Sequence, residues 1–330
     1  MENQSTVNEF ILLSFSKIRE QQILHFLVFL TIYLVALMGN ILVILAIVYD
    51  HNLHSPMYFF LANLSLIDAC YISVTVPKSM AISLTNDRRI SVYGCVSQVF
   101  LIMIFAGAEL SFLTVMAYDR YVAICLPLQY MKIMNWNACL QMAAASWITT
   151  IVHAIVQTIS TFRLQFCTSH IQQFFCDIPK LWRISCTDTM FNEWLVVAVV
   201  LMAGVFCFSL IFISYGFIFL TVYKIQSSQS QHKVFSTCTP HLTVFSLFFS
   251  TAIFSYTRPR ALSSISLDLL SAVLYTVLPP VMNPIIYSLR NKDIHQAAWK
   301  MSNKWFQFHR VISNTFPPKS QIFIIEKAMT

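Results

Sequence analysis

Long apolar stretches broken by short polar ones run the length of the chain. They lie near 23–48, 57–82, 96–118, 138–160, 195–222, 242–257 and 269–289. A helix that crosses the hydrocarbon core of a bilayer needs about 20 such residues, within a range of about 17–25. Most stretches meet that length, and the sixth draws on Val234 to Leu242 to reach it. The pattern predicts an all-α integral membrane protein, a seven-transmembrane helix bundle with its N-terminus outside. An extracellular tail at 1–22 would precede one seven-span domain at 23–290, and a cytoplasmic tail at 291–330 would open with a short amphipathic helix.

Composition agrees. Of 330 residues, 57% are hydrophobic and only 11% charged, against about 25% charged in soluble domains. A soluble globule could not dress its surface with so little charge. Residues 1–22 lack a basic n-region and lead into an apolar stretch too long for a signal peptide, so the first span is expected to serve as an uncleaved targeting signal. Asn3-Gln4-Ser5 is a glycosylation sequon ahead of that span, and places the N-terminus in the lumen. A second match at Asn63-Leu64-Ser65 falls inside the second span, where no glycosylation machinery reaches.

The distribution of basic residues does not decide orientation: with an outward N-terminus, eleven Lys and Arg fall inside and ten outside. Cysteines speak more clearly. Cys95, Cys167, Cys176 and Cys186 all lie in segments that an outward N-terminus places outside. An even set on one face fits disulfides in an oxidising lumen. Four cysteines allow three pairings. No pair has the tight spacing of roughly two to four residues expected of zinc ligands, so no metal is expected.

Several polar residues sit where lipid would punish them. Asp119 and Arg120 close the third span within Met116–Cys125, MAYDRYVAIC. A charge at the bilayer centre costs roughly 2.5–3.5 kcal/mol on insertion measurements. Neighbours of opposite sign at a helix end, within reach of water, look more like a switch than an anchor. Asn40 lies in span one, Asp68 in span two, Glu109 in span three, and Asn283 before Pro284 in span seven. Two carboxylates deep in one bundle must face its interior, pair, bind a cation or carry a proton. A sodium ion or a proton shared by Asp68 and Glu109 follows; a purely structural hydrogen-bond network is the alternative. Pro77, Pro240, Pro279, Pro280 and Pro284 each remove a helical hydrogen bond and invite a kink.

Together these motifs resemble the rhodopsin-like receptors coupled to G proteins and, within them, the tetrapod-type (class II) odorant receptors. The resemblance covers roughly residues 23–293 and rests on Gly39-Asn40, PMYFFLANLSLID at 56–68, MAYDRYVAIC at 116–125, Ser214-Tyr215, KVFSTCTPHL at 233–242 and PPVMNPIIYSLRNK at 279–292. The long outer loop with Phe174-Phe175-Cys176-Asp177 is similar to that family too. The resemblance implies disulfides Cys95–Cys176 and Cys167–Cys186. It implies that Asp119 holds Arg120 at rest, beside Tyr121, and that Arg120 is released to meet a G protein when span six moves outward. Tyr215 and Tyr287, the latter in the Asn283-Pro284 motif, would stabilise the released state. Ser236, Thr237, Cys238 and His241 would face Arg120 from the inner end of span six. The chain departs from the family pattern at Phe248-Phe249-Ser250, where a tyrosine is commoner than Phe249, and at Pro240.

Counting outward from MAYDRY places Ile102, Met103, Ala106 and Gly107 toward a ligand cavity, with Val199, Val200 and Ala203 from span five. Phe249, Ala252, Ile253 and Tyr256 would join from span six, and Val273 and Thr276 from span seven. Apolar walls with few polar points describe a small-molecule site. Ile102 stands where related amine receptors carry an Asp, which disfavours amines, and Tyr256 is the best donor. His153 and Gln157, one turn apart in span four, are either pocket groups or a structural pair. The resemblance implies a receptor for small, mainly apolar volatile odorants. It would activate a stimulatory, olfactory-type G protein and raise cyclic AMP from the plasma membrane of olfactory cilia. Membrane lipid is its other partner; nucleic acid, resident cofactor and enzymatic activity are not expected. A transporter is the rival class, disfavoured by seven spans without an internal repeat. A membrane enzyme is weaker still, since no HExxH or GxSxG occurs.

Overall fold

Seven helices long and apolar enough to cross a membrane dominate the computed structural model, which describes residues 8–187, 190–225, 227–256, 264–291, 293–301 and 303. The sequon at Asn3 and the tail at 304–330 lie outside the described residues. The chain runs β1 (Glu9–Leu12), α1 (Arg19–Tyr49), α2 (Pro56–Thr85), β2 (Arg89–Ser91), α3 (Val92–Cys125), α4 (Tyr130–Ile133) and α5 (Trp136–Phe162). It continues through β3 (His170–Ile171), α6 (Ile178–Trp182), α7 (Met190–Lys224), α8 (Ser228–Tyr256) and α9 (Ile265–Arg290). The spans are α1, α2, α3, α5, α7, α8 and α9. The end of the bundle that carries the strands and disulfides is called outer below.

α3 is the central post, packed against α2, α5, α7 and α8. Its interior face carries Phe112, Leu113, Met116 and Ala117, all buried, at the three- and four-residue spacing of one helix side. α1 instead leaves Leu24, Leu27, Leu34, Val35 and Met38 exposed. That is the profile of a helix whose solvent is lipid. The helix starts are built locally: Ser91 Oγ accepts from Gly94 N (3.1 Å) and Asn135 Oδ1 from Ala138 N (3.0 Å), each satisfying an orphan donor. α2 ends on Asn86 at φ 59°, a left-handed position that Asn tolerates better than most residues.

The prolines do not break the helices. Pro77, Pro240 and the Pro279, Pro280 and Pro284 set all lie inside continuous helix. Pro284 shows how its cost is met. Lacking N–H, it leaves the carbonyl four residues earlier without its helical donor. That carbonyl belongs to Pro280, and Asn40 Nδ2 of α1 donates to it at 2.9 Å. A Cβ at neighbouring Gly39 would stand 3.1 Å from Pro284 Cγ, so the glycine makes room for the ring. The Gly39-Asn40 pair and Pro284 are two halves of one joint.

A small sheet caps the outer end. β1 pairs antiparallel with β2 (Phe10 opposite Ile90) and parallel with β3 (Ile11 opposite His170, Leu12 opposite Ile171). Phe10 and Leu12 point inward and are wholly buried beside Cys95, Cys176, Val99 and Leu181. The tail at 1–22, expected to be polar, therefore contributes a strand, and α1 begins at Arg19 rather than 23. After α9, residues 293–301 are helical, with Ile294 and Ala297 buried and Trp299 exposed. Lys300 of that helix pairs with Asp50 at the end of α1 (3.1 Å).

Candidate switch and ligand site

At the inner end, Arg120 Nη2 lies 3.2 Å from Asp119 Oδ2, with the Asp119 side chain almost wholly buried and Arg120 nearly so. The other carboxylate oxygen accepts from Tyr130 Oη of α4 at 2.8 Å. Asp119 is thus held from both sides. Burial together with the neighbouring Asp119 charge pushes the Tyr130 phenol up from its ordinary value, which keeps it a donor. Tyr121 is half-buried and its ring meets Phe217 of α7 at 5.7 Å.

A second knot lies one layer deeper. Tyr215 Oη and His241 Nδ1 are 2.7 Å apart, and His241 Nε2 lies 2.9 Å from the Leu113 carbonyl. A carbonyl only accepts, so Nε2 carries the proton; Nδ1 then accepts from the tyrosine hydroxyl. One neutral imidazole thereby joins α3, α7 and α8. Cys238 shares the buried face of α8 with His241. Ser236 and Thr237, nearer the inner end of α8, are exposed. Tyr287 is buried against the core around Val244 and Ile294, and its hydroxyl has no hydrogen-bond partner among the described residues.

At mid-depth three of the four intramembrane polar residues singled out from sequence converge: Asp68, Glu109 and Asn283. Asn283 Nδ2 donates to Asp68 Oδ2 at 2.9 Å and reaches Glu109 Oε1 at 3.5 Å. All three are buried. Asp68 Oδ1, Glu109 Oε2 and Asn283 Oδ1 have no donor among the described residues. Two carboxylates cannot both remain charged there against one neutral amide. Oxygen-only donors of this kind suit a hard cation, and a proton would serve equally.

The expected ligand residues divide. Ile102 is buried under Phe174 and Phe175 of the outer loop, in a cluster with Tyr71, Leu269 and Ala272 that Val273 borders. Phe249 is half-buried and packs edge-on to Phe208 of α7 at 4.5 Å. Ala106, Val199 and Ala252 are half-buried. Gly107 is a correction: a Cβ there would meet Thr150 Cγ2 at 3.1 Å, so it lies against α5. Met103 packs on the cluster around Cys95 and Cys176. Ala203 and Ile253 are exposed rather than enclosed. The Thr276 hydroxyl is spent on the Ala272 carbonyl at 2.7 Å. The side chains of Val200 and Tyr256 lie outside the described residues. His153 and Gln157 bond to one another along α5 at 3.1 Å.

Above this region the loop is fastened covalently. Cys95 is bonded to Cys176, Cα atoms 5.6 Å apart, and Cys167 to Cys186 at 5.2 Å, both within the usual disulfide range. Gln98, which sequence reasoning missed, sets the loop's height. Its Oε1 accepts from Cys176 N (2.8 Å) while its Nε2 donates to the Val74 carbonyl (3.0 Å). No sequence signal separates it from any other glutamine on a helix; only the unusual burial marks it.

The family model described as Olfactory receptor matches residues 29–304. Olfactory receptor 14C36 of Homo sapiens is 49% identical over 312 residues, covering 94% of this chain and 100% of that protein. Olfactory receptor 14I1 of Homo sapiens is 51% identical over 302 residues, 91% of this chain and 97% of that protein. Olfactory receptor 1G1 of Gorilla gorilla gorilla is 46% identical over 300 residues, 91% and 96% of the two chains.

Proposed function

The chain belongs to the olfactory receptor family, a multi-pass membrane receptor and not an enzyme, and from that premise we propose that it binds small, mainly apolar volatile odorants in its outer half. Binding activates a stimulatory, olfactory-type G protein and raises cyclic AMP, from the plasma membrane of olfactory cilia. The observation that carries the reading is the pair of knots at the inner end, Asp119 with Arg120 and Tyr130, and Tyr215 with His241 and Leu113. Each ties α3 to a neighbour through a single polar contact that an outward swing of α8 or a bound partner can exchange. An odorant works by stabilising the state in which those contacts are broken, and only as far as it binds that state better. Arg120, once free of Asp119, offers a planar five-donor group to backbone carbonyls of the G protein. The Tyr215 and Tyr287 hydroxyls supply further donors for the released state.

Ile102 and its apolar neighbours favour ligands without a formal positive charge. Tyr256 remains the proposed hydrogen-bond donor of span six, and Asn3 the proposed glycosylation site. In cells carrying the olfactory G protein, an odorant panel raises cyclic AMP, and Arg120→Ala abolishes the rise while surface expression persists. A response that survives the change removes Arg120 from the coupling role.

The second part of the reading is that Asp68, Glu109 and Asn283 share a sodium ion or a proton. Its support is three buried oxygens, of Asp68, Glu109 and Asn283, that have no donor among the described residues. Bound charge neutralises the carboxylates and holds α2, α3 and α9 together. Thermal unfolding of the purified receptor in sodium chloride against N-methylglucamine chloride distinguishes the two. Sodium binding gives a midpoint that rises with sodium and ceases to do so in Asp68→Asn; a midpoint indifferent to sodium assigns the site to a proton.

A further inference from the structure

The outer loop is held very differently on its two flanks. Toward α2 and α3 it is bonded through Cys95–Cys176, clamped by Gln98 and woven into the sheet by β3. Toward α9 it is held by apolar packing of Phe174 and Phe175 and, at its outer edge, by an ion pair. Lys180, in the short helix α6, reaches Asp268 in the first turn of α9, its Nζ 2.5 Å from Oδ2. The lysine is 8% exposed, unusual burial for an ammonium, which is almost never fully buried unless paired. A disulfide does not open on the time of a signalling event; an ion pair at the water boundary does.

The charges around Lys180 make that opening feasible. Asp177, three residues earlier, faces Lys180, Arg183 and Asp268. Burial raises its carboxyl to about 6, the nearby Lys180 and Arg183 pull it down, and Asp268 pushes it up. Two carboxylates therefore flank one ammonium. When Lys180 leaves Asp268 it turns to Asp177 and does not lie buried without a counter-charge. Beneath this point Phe174 and Phe175 close over Ile102, Tyr71, Leu269 and Ala272, with Phe175 and Tyr275 rings 6.3 Å apart. The residues that carry those rings immediately precede the fixed Cys176, and Lys180 follows it by four residues, tying the same loop to α9.

We propose that the Lys180–Asp268 ion pair is a latch that fastens the loop to α9, and that its opening sets how fast a small molecule reaches and leaves the space under Phe174 and Phe175. The latch rests on the reading of this chain as an odorant receptor, whose ligand must pass the loop. The two residues are positioning residues and touch no ligand.

The test uses the full-length receptor on intact cells. Ile102→Cys places a thiol under the lid, and a membrane-impermeant methanethiosulfonate reports how often that space opens. Labelling of the native cysteines is read from the same chain without Ile102→Cys. Lys180→Met and Asp268→Asn each speed labelling about tenfold, a shift in the open fraction of that size. The charge-reversed double variant, Lys180→Asp with Asp268→Lys, brings the rate back to within about twofold of the starting receptor. Should Lys180→Met fail to reach the surface, Asp268→Asn, which keeps the shape of the carboxyl, reads the same quantity. Single variants that label at the starting rate overturn the latch, and so does a double variant as fast as the singles. The measurement needs neither odorant nor G protein. A receptor silent to every odorant overturns the proposed function and leaves the latch standing; unchanged labelling does the reverse.

Discussion

Tyr130 makes Asp119 more than a neighbour of Arg120. A carboxylate held by one arginine at a helix end exchanges readily with water, whereas a hydroxyl on its second oxygen fixes its rotamer. Hydrogen bonds to charged groups contribute about 1.5–3 kcal/mol net. Tyr130→Phe should therefore raise cyclic AMP in the absence of odorant, by up to about tenfold, since 1.4 kcal/mol is a factor of ten in an equilibrium. The readout is basal signal divided by surface expression, and a basal level equal to that of the unaltered receptor refutes the clasp. Asp119, Arg120, Tyr215 and His241 were legible in the sequence because each sits in a motif. Their second partners were not. Tyr130 comes from beyond a helix end, and Leu113 contributes a backbone carbonyl, which any residue could supply. A contact to main chain leaves no trace in side-chain identity.

Helices were easy to read and their joints hard. Every span was foreshadowed by its apolar run, because lipid demands long continuous helices whose backbone groups are satisfied internally. The same demand explains how α9 tolerates three prolines. Asn40 repays the carbonyl that Pro284 orphans, and Gly39 admits the ring. Gly39→Val should overpack this joint at a cost of about 1–3 kcal/mol, seen as a lower thermal midpoint of the purified receptor. Pro284→Ala in the same chain should recover part of the loss by vacating the space. If the two changes simply add, the ring is not what the glycine accommodates. β1 escaped notice although Phe10 and Leu12 alternate with Glu9 and Ile11 in the period of two that marks a strand. Four residues beside a strong helical signal carry too little weight on their own, and the partners that make them a strand arrive from two distant loops.

For the molecule as a whole, the outer cap is a single device made of sheet, cystines, Gln98 and the Lys180–Asp268 pair. Its acid response can be stated with sign. Asp177 has a folded-state value of about 6 against 3.8 for the ordinary carboxyl. The folded cap holds that proton more tightly than the unfolded chain, so the contribution to stability is complete below 3.8 and is lost as pH rises through about 6. Thermal midpoints of the purified receptor measured between pH 4 and pH 7 should fall over that interval from this group, and Asp177→Asn should flatten the fall. An identical pH profile in the variant assigns the dependence elsewhere. Most of the ligand site was out of reach of sequence, as Gly107 shows. Counting turns from MAYDRY gives a depth along α3, but which side of the helix faces α5 is decided by packing that no single chain position reveals.

The parallel pairing of β1 with β3 also dictates an order of manufacture. Residues 9–12 are made before either partner; β2 offers Ile11 its antiparallel partner Arg89 after two spans, but the parallel partner His170 emerges only after four. At about 5–20 residues per second of synthesis, the leading segment waits through four completed spans. Until then Phe10 and Leu12, destined for full burial, lack Ile171, Cys176 and Leu181, the part of their cover that the second outer loop brings, and they invite chaperones or aggregation. The strand is thus made before both of its partners and is fully covered only once the second of them arrives. Any delay or mispairing before the second outer loop is finished leaves the newborn chain advertising its own incompleteness at its front end.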